Sequence, residues 1–372
     1  MAAVDFRDRL LSGLGGDWPD PSPLKTRITK TEQKDGYRLL TLSYEVEPDD
    51  RVPALLLIPD SATPAKPAPG IAVWHQHAGQ YHLGKSEPAG LGGNPMHHTG
   101  AALAREGYVV LCPDALCFEE RQDPTGKLKT HWYERFEFLR YVVDGKCMAW
   151  KNILDMRRAV DVLAGLDEVN ALKLGCYGHS MGSTHTWLVG PWEPRLKCLV
   201  GNCCLPTYKA IHDGHMLHCF PNFVPGIHAH GDTPDIAALI VPRALHLNFG
   251  EKDSGSPIDE VRRGLEVITA FRPGRAEMTL ADLAGATGLA RPTVRRVLLT
   301  LTELGYVRSG ERGYALTPRV LDLGVAYVRS TGLWDVARPH LERLVARTHE
   351  SCSIAQLDGS DIVYVARVAG PK

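Results

Sequence analysis

Residues 172–182 read Leu172-Lys173-Leu174-Gly175-Cys176-Tyr177-Gly178-His179-Ser180-Met181-Gly182. A short apolar run closes on the last five of these, and a stretch of helical character follows. The pattern is G-x-S-x-G in a strand–turn–helix setting, the setting that makes it a nucleophile elbow. Glycine at both ends lets the chain turn sharply, so the serine oxygen projects above the sheet. Without the flanking strand and helix the same five residues would be an ordinary Gly-Ser turn.

Outward from the elbow, strands and helices alternate. Ile71–Trp74 is a short, continuously apolar strand of the kind buried inside a parallel sheet, and it runs into His75-Gln76-His77-Ala78-Gly79. Tyr108–Cys112 is strand-like and stops at Pro113-Asp114; Leu196–Gly201 and Arg243–Phe249 are two more such runs. Arg51–Pro59 reads as a strand, and Tyr37–Val46 alternates as an edge strand does. Helical patterns cover Met96–Gly107 and Met148–Gly165, the second with Ile153, Met156, Ala159, Val160 and Leu163 at spacings of three and four. Residues 115–147 are polar, aromatic and irregular, and 205–238 form a long His-, Pro- and Gly-rich insertion. The alternation predicts an α/β fold: a doubly wound, mostly parallel sheet with helices on both faces.

The 372 residues are too many for one ordinary domain and suggest two or three. Composition is that of a globular protein, 44% hydrophobic and 23% charged with a net charge of −1. No apolar run reaches the ~18 residues of a membrane span, and the N-terminus lacks a basic-then-apolar secretory pattern. A cytoplasmic location, away from membranes, is expected. The nine cysteines are an odd number in mostly apolar surroundings, which reads as reduced thiols rather than a disulfide framework. Cys203-Cys204 lacks C-x-x-C spacing and reads as a strand end. No metal site or cofactor is expected.

A serine hydroxyl needs a base, a carboxylate to orient that base, and N–H donors for the developing oxyanion. In this kind of fold the order is Ser, then Asp or Glu, then His. Ser180 supplies the nucleophile. Asp253, in the loop Gly250-Glu251-Lys252-Asp253 beyond a strand end, fits the acid, although a plain surface carboxylate would look the same. Backbone N–H groups of Met181 and of the loop near His77 are the expected oxyanion donors.

Residues from about 35 to 268 resemble the dienelactone hydrolase and acetyl-xylan-esterase-like branch of the α/β-hydrolases. The resemblance rests on Trp74-His75-Gln76-His77-Ala78-Gly79, Asp114 with Glu119-Glu120-Arg121, Gly178–Gly182, and Phe249-Gly250-Glu251-Lys252-Asp253. It implies cleavage of a small-molecule ester or lactone. The family's catalytic histidine follows the acid, between the last strand and the last helix. Here the segment after Asp253 reads as a helix to Ile268 and stops at Arg272-Pro273-Gly274; the next histidines are His340 and His349. The base is therefore not found where the family places it. A histidine of the 205–238 insertion is the alternative, and pocket lining the plainer reading of those residues. Loss of the base should lower the rate by several orders of magnitude.

From residue 275 the pattern changes. Residues 275–372 hold 13 Lys+Arg and 10 Asp+Glu. Thr279-Leu280-Ala281-Asp282 reads as a capping-box variant opening a helix that breaks at Gly288, and Pro292 opens a second. Val294, Val297, Leu298, Leu301 and Leu304 make its apolar stripe. Arg291, Thr293, Arg295 and Arg296 cluster at its start, and Tyr306–Arg308 with Gly313–Leu316 pair as a hairpin tipped by Arg312. This predicts a winged helix-turn-helix that presents its second helix to double-stranded DNA, with Arg308 and Arg312 on the wing. A helical hairpin with solvated arginines is the plainer alternative.

The region resembles the N-terminal part of the IclR family of bacterial transcription regulators, especially the branch controlling aromatic-acid catabolism. The matching residues are Thr279–Ala284, Gly288-Leu289, Val294-Arg295-Arg296, Glu303–Val307 and Tyr314–Pro318. Arg319–Arg329 then resembles the family's linker helix and Trp334–Lys372 the opening of its effector-binding domain, a truncated α+β fragment. The expected domains are 1–270 (hydrolase, lacking its His-bearing segment), 271–276 (linker), 277–318 (winged helix-turn-helix) and 319–372. Three functions compete: an acyl hydrolase using a non-standard histidine, a DNA-binding protein with a hydrolase-derived sensing or dimerising module, and a spliced product complete in neither activity. A homo-oligomer is expected, because such modules read paired half-sites.

Overall fold

The computed structural model describes residues 5–248, 250, 266–271, 277–310, 312–322, 333–358 and 361–371. The chain divides into two compact units, Met1–Ile258 and Asp259–Lys372.

The first unit is built on an eight-stranded sheet. Its strands are β1 (Arg27–Lys34), β2 (Tyr37–Glu47), β3 (Asp50–Pro59), β4 (Ala68–Trp74), β5 (Val109–Pro113), β6 (Val169–His179), β7 (Leu196–Asn202) and β8 (Ala244–Asn248). Their order is β1-β2-β3-β5-β4-β6-β7-β8. The three pairings at the β1 side are antiparallel, and the four from β5 to β8 are parallel. Neighbouring residues of each central strand point to opposite sides, as the pleat requires. Leu55, Leu57, Val73, Val110 and Cys112 enter one apolar cluster, while Leu56, Ile58, Ala72, Trp74 and Leu111 enter the other. Helix α1 (Phe6–Leu14) adds Leu10 and Leu14 to the larger cluster, and α2 (Thr99–Arg105) adds Ala101 and Ala104 to the smaller. Both faces are therefore covered, as the continuous apolar runs implied.

Two local expectations change. The edge strand is β1, not Tyr37–Val46: β2 pairs on both sides, and its alternation reflects one buried face (Leu40, Leu42, Tyr44, Val46) and one half-buried face. The stretch 115–147 is not irregular throughout but contains α3 (His131–Val143). This helix is inverted in polarity. It buries Glu134, Glu137 and Tyr141 and exposes Trp132, Phe136, Leu139 and Val143, which hides it from a search for an inward apolar stripe.

Helix α4 (Met148–Ala164) packs fourteen buried residues between α3 and the sheet. A buried ionic network ties it to the loop after β5: Arg121 binds Asp155 at 2.6 Å, and Lys151 binds Asp155 at 2.8 Å, Glu47 at 3.0 Å and also Asp50. α5 (Met181–Val189) is completely buried behind the elbow. The insertion 205–238 folds as the short helices α6 (Tyr208–Asp213) and α7 (Thr233–Ala238) with 3-10 turns between them. All nine cysteines carry free thiols.

In the second unit, α8 (Leu280–Thr287) starts at the expected capping box. Thr279 Oγ1 accepts from the Asp282 N–H at 3.1 Å, and Asp282 Oδ2 accepts from the Thr279 N–H at 3.0 Å. Gly288 ends it in the left-handed conformation (φ 69°), which glycine adopts without strain. α9 (Arg291–Glu303) carries Pro292 in its first turn. The wing is β9 (Val307–Gly310) against β10 (Gly313–Leu316), and Met278 pairs with Tyr314 alongside. α10 (Leu333–Thr348) and the hairpin β11 (Cys352–Asp358)–β12 (Asp361–Val368) follow.

The boundary expected at residue 270 is corrected. A helical turn over 266–269 leads into this second core, where Val267 and Ala270 are buried with Met278, Leu283, Val294, Leu298 and Val307. The turn belongs to the winged unit because its apolar side has partners there. Most of the expected linker, 272–276, and most of the expected linker helix, 323–329, lie outside the described residues, as does Asp253.

Candidate active site and nucleic-acid interface

Ser180 sits at the β6–α5 junction with φ 54° and ψ −116°, a strained backbone for a non-glycine residue. Its N–H donates to the Asn202 carbonyl at 2.9 Å, and its own carbonyl accepts from the Ser183 N–H at 2.8 Å. A Cβ at Gly178 would fall on the Gly182 carbonyl, and one at Gly182 on the Trp74 carbonyl. Both elbow glycines are thus required by close backbone approach. Met181 opens α5, where the first N–H groups of a helix have no intrahelical acceptor. Among the described residues, no ring nitrogen hydrogen-bonds the Ser180 hydroxyl.

The loop after β4 is held by polar contacts. His77 Nδ1 accepts from the Gly79 N–H at 2.9 Å, so Nε2 carries the proton and donates to Glu134 Oε2 at 3.0 Å. Tyr81 donates to the same oxygen at 2.6 Å, and Phe118 stacks on Tyr81. Glu134, from α3, therefore positions the loop that carries the expected oxyanion donor. Sequence reading missed it, for want of any signal besides the inverted helix.

His75 Nε2 accepts from the Ala115 N–H at 3.0 Å, and its Nδ1–H donates to the Gln76 carbonyl at 2.7 Å. Burial drives its pKa down to about 4. His185, behind the elbow, accepts from Asn152 Nδ2 at 3.2 Å, and burial drives it to about 3. Both are structural, neutral imidazoles.

A second polar group borders the elbow. Glu87, 2% exposed, accepts from the Asn94 N–H at 3.0 Å, from Gln76 Nε2 at 2.9 Å and from His97 Nδ1 at 3.2 Å. Burial opposes its charge, but these hydrogen bonds outweigh that and lower its pKa. The His97 ring stacks on that of His179, with centroids 4.7 Å apart, and His179 precedes Ser180 in the chain. Asn202 holds His179 Nδ1 at 2.7 Å.

Asp114, Glu119 and Glu120 bring carboxylate oxygens within 4.8 Å of one another, a spacing that suits a metal ion. The Lys85 ammonium binds all three, at 2.7, 2.8 and 2.7 Å. Burial disfavours the ammonium, but Asp114 above all, with hydrogen bonds to the two glutamates, raises its pKa. The group is an ion cluster, buried at Lys85 and Asp114 and open at Glu120, that pins the loop after β5.

β8 ends beside the elbow: the Cys203 N–H donates to the Asn248 carbonyl at 2.6 Å, and Asn248 Nδ2 donates to Asn202 Oδ1 at 3.1 Å. In the insertion, His218 is held by Asn222 and by the Cys219 N–H, and His212 and His228 meet edge to face.

In the winged unit Arg291 and Arg295 are exposed at the start of α9. Thr293 and Arg296 lie on the same helix, with side chains outside the described set. Arg308, on β9, is exposed and loosely paired to Glu277 at 3.4 Å; Arg312, exposed, lies in the turn of the wing. No described helix is long and apolar enough to cross a membrane.

The two parts define an α/β-hydrolase-type domain joined to a winged helix-turn-helix. Residues 260–311 match the IclR helix-turn-helix domain. The chain is 43% identical over 118 residues to the Pca regulon regulatory protein of Pseudomonas putida, covering 31% of this chain and 40% of that one. It is 27% identical over 275 residues to YtaP of Bacillus subtilis, described as a hydrolase, covering 72% of this chain and 88% of that one. A Bacteroides fragilis structure described as an acetyl xylan esterase shares the fold, with a TM-score of 0.53 at 18% identity over 65% of this chain and 66% of that one. The chain thus joins a domain of α/β-hydrolase fold, similar to a hydrolase, to an IclR helix-turn-helix domain, and it spans two-fifths of the length of the Pca regulator it matches.

Proposed function

We propose that the chain binds double-stranded DNA through the winged unit. The observation that carries this reading is the start of α9, which leaves Arg291 and Arg295 exposed on a helix braced from behind by Val294 and Leu298. Such a helix suits the major groove, with Arg308 and Arg312 on the wing available to phosphates. Arg291→Ala with Arg295→Ala should weaken duplex binding and flatten its dependence on salt, by about one unit of log–log slope per lost phosphate contact. Binding by fluorescence anisotropy that ignores salt, or that both substitutions leave unchanged, refutes the reading.

The strained backbone of Ser180 favours a second activity in the same chain. The first unit is a serine hydrolase acting on a small ester or lactone, with Ser180 as nucleophile, Met181 and His77 supplying oxyanion N–H groups, and Asp253 as the acid. With the base missing from its family position, turnover is slow. An activated aryl ester should be hydrolysed faster by the native chain than by Ser180→Ala; equal rates sink the assignment.

A further inference from the structure

The unsolved element of the serine reading is the base. A histidine serves as one when a carboxylate fixes one ring nitrogen and the other keeps its lone pair for the nucleophile's proton. The histidines around the elbow can be sorted by this criterion. His75 uses both nitrogens, on the Gln76 carbonyl and the Ala115 N–H. His77 has a carboxylate, but the Gly79 N–H occupies its other nitrogen. His185, on α5 itself, is buried against Asn152 and has no carboxylate partner among the described residues. His98 Nε2 donates to the Gly92 carbonyl at 2.9 Å, which commits that nitrogen away from a carboxylate.

His97 meets the criterion. Its Nδ1 faces the buried carboxylate of Glu87 at 3.2 Å. The Gln76 amide nitrogen approaches the same nitrogen at 3.0 Å and also reaches Glu87 Oε2 at 2.9 Å and Gln80 Oε1 at 3.4 Å; in the tautomer that gives the Nδ1 proton to Glu87, those two oxygens take the amide hydrogens. Nε2 is then the unprotonated nitrogen, and it has no partner among the described residues. The ring stacks on that of His179, the residue before Ser180, with centroids 4.7 Å apart and planes inclined by 30°. Gln76, which braces Glu87, belongs to the loop expected to bind the oxyanion, so base and oxyanion loop are coupled.

We propose that His97, oriented by Glu87, is the general base for Ser180, receiving its proton across one water. This rests on the reading of Ser180 as nucleophile, and it gives to Glu87 the orienting part that the family pattern assigns to Asp253. In acylation the Ser180 hydroxyl proton passes through the water to His97 Nε2 as Oγ bonds to the ester carbonyl carbon. The collapsing intermediate breaks the bond to the leaving alcohol, which takes that proton from His97. In deacylation His97 removes a proton from an attacking water, the acyl–Oγ bond breaks, and the proton returns to Ser180, leaving a carboxylic acid. Glu87 touches none of these atoms; it is a positioning residue.

The test is p-nitrophenyl acetate hydrolysis by the full chain, with Ser180→Ala as the baseline. His97→Gly and His97→Gln should lower kcat about a hundredfold toward that baseline. Added imidazole, once its own enzyme-free hydrolysis of the ester is subtracted, should restore rate to His97→Gly but not to Ser180→Ala. Glu87→Gln should lower kcat while leaving KM nearly unchanged. If the native chain already equals Ser180→Ala, the serine reading itself fails. If the native rate exceeds the baseline and either His97 variant keeps it, or imidazole restores nothing to His97→Gly, the assignment of His97 is overturned while that of Ser180 stands.

Discussion

Ser180 concentrates the strain of the first unit in one residue, and its neighbours show why the motif is legible at all. Gly178 and Gly182 are fixed by backbone atoms that approach too closely for any Cβ, a local demand that leaves a local signature. Gly178→Ala should therefore cost more than about 2 kcal/mol or prevent folding, measured by urea unfolding. Ser180→Gly should do the opposite, stabilising the chain by about 1 kcal/mol as the left-handed strain is relieved. A chain destabilised by Ser180→Gly would mean that the elbow carries no strain. The acid–base neighbours were not legible in the same way. His97 and Glu87 stand in a polar loop, ten residues apart, and are joined only by folding. Nothing in their spacing separates them from the other histidines of that segment.

At the scale of elements, periodicity was a good guide wherever the apolar side faced inward. The strands around the elbow and the two helices of the winged unit follow it. It failed where burial was polar. α3 turns Glu134 toward His77 and Tyr81 and leaves Trp132 and Phe136 exposed, so its pattern reads as noise. The helical turn at 266–269 failed for another reason: an apolar helix face does not announce which core it joins, and Val267 joins the winged one. The loop after β5 depends on charge. Removing the cation leaves the buried Asp114 carboxylate without its counter-charge and facing Glu119, so Lys85→Met should cost about 3–5 kcal/mol by chemical denaturation. Near-neutral stability, or rescue of that loss by a divalent cation, would recast the cluster as a metal site.

At the scale of the whole molecule, the change of composition and pattern revealed two parts, whereas the position of the junction depended on long-range packing. The two units also differ in what acid should do to them. His75 and His185 are both buried in the first unit, and burial holds their pKa values at about 4 and about 3, below the ordinary 6.5. In the unfolded chain both take up a proton as pH falls below 6.5; in the folded chain they resist. Their contribution to stability is complete above that value and is lost as pH falls toward 4 and then 3. Between pH 6 and 5 most surface carboxylates stay ionised; these two imidazoles lower stability by up to about 1.4 kcal/mol per pH unit each, and Asp114, whose carboxyl burial raises to about 7, offsets part of that by taking up its proton first in the folded chain. Six of the seven tryptophans lie in the first unit, so urea titrations followed by tryptophan fluorescence report on it. The midpoint should fall across this range, and His185→Gln should remove at least half of the slope. A midpoint independent of pH from 6.5 to 5 would show that the imidazoles are charged, or accessible to protons, in the folded protein.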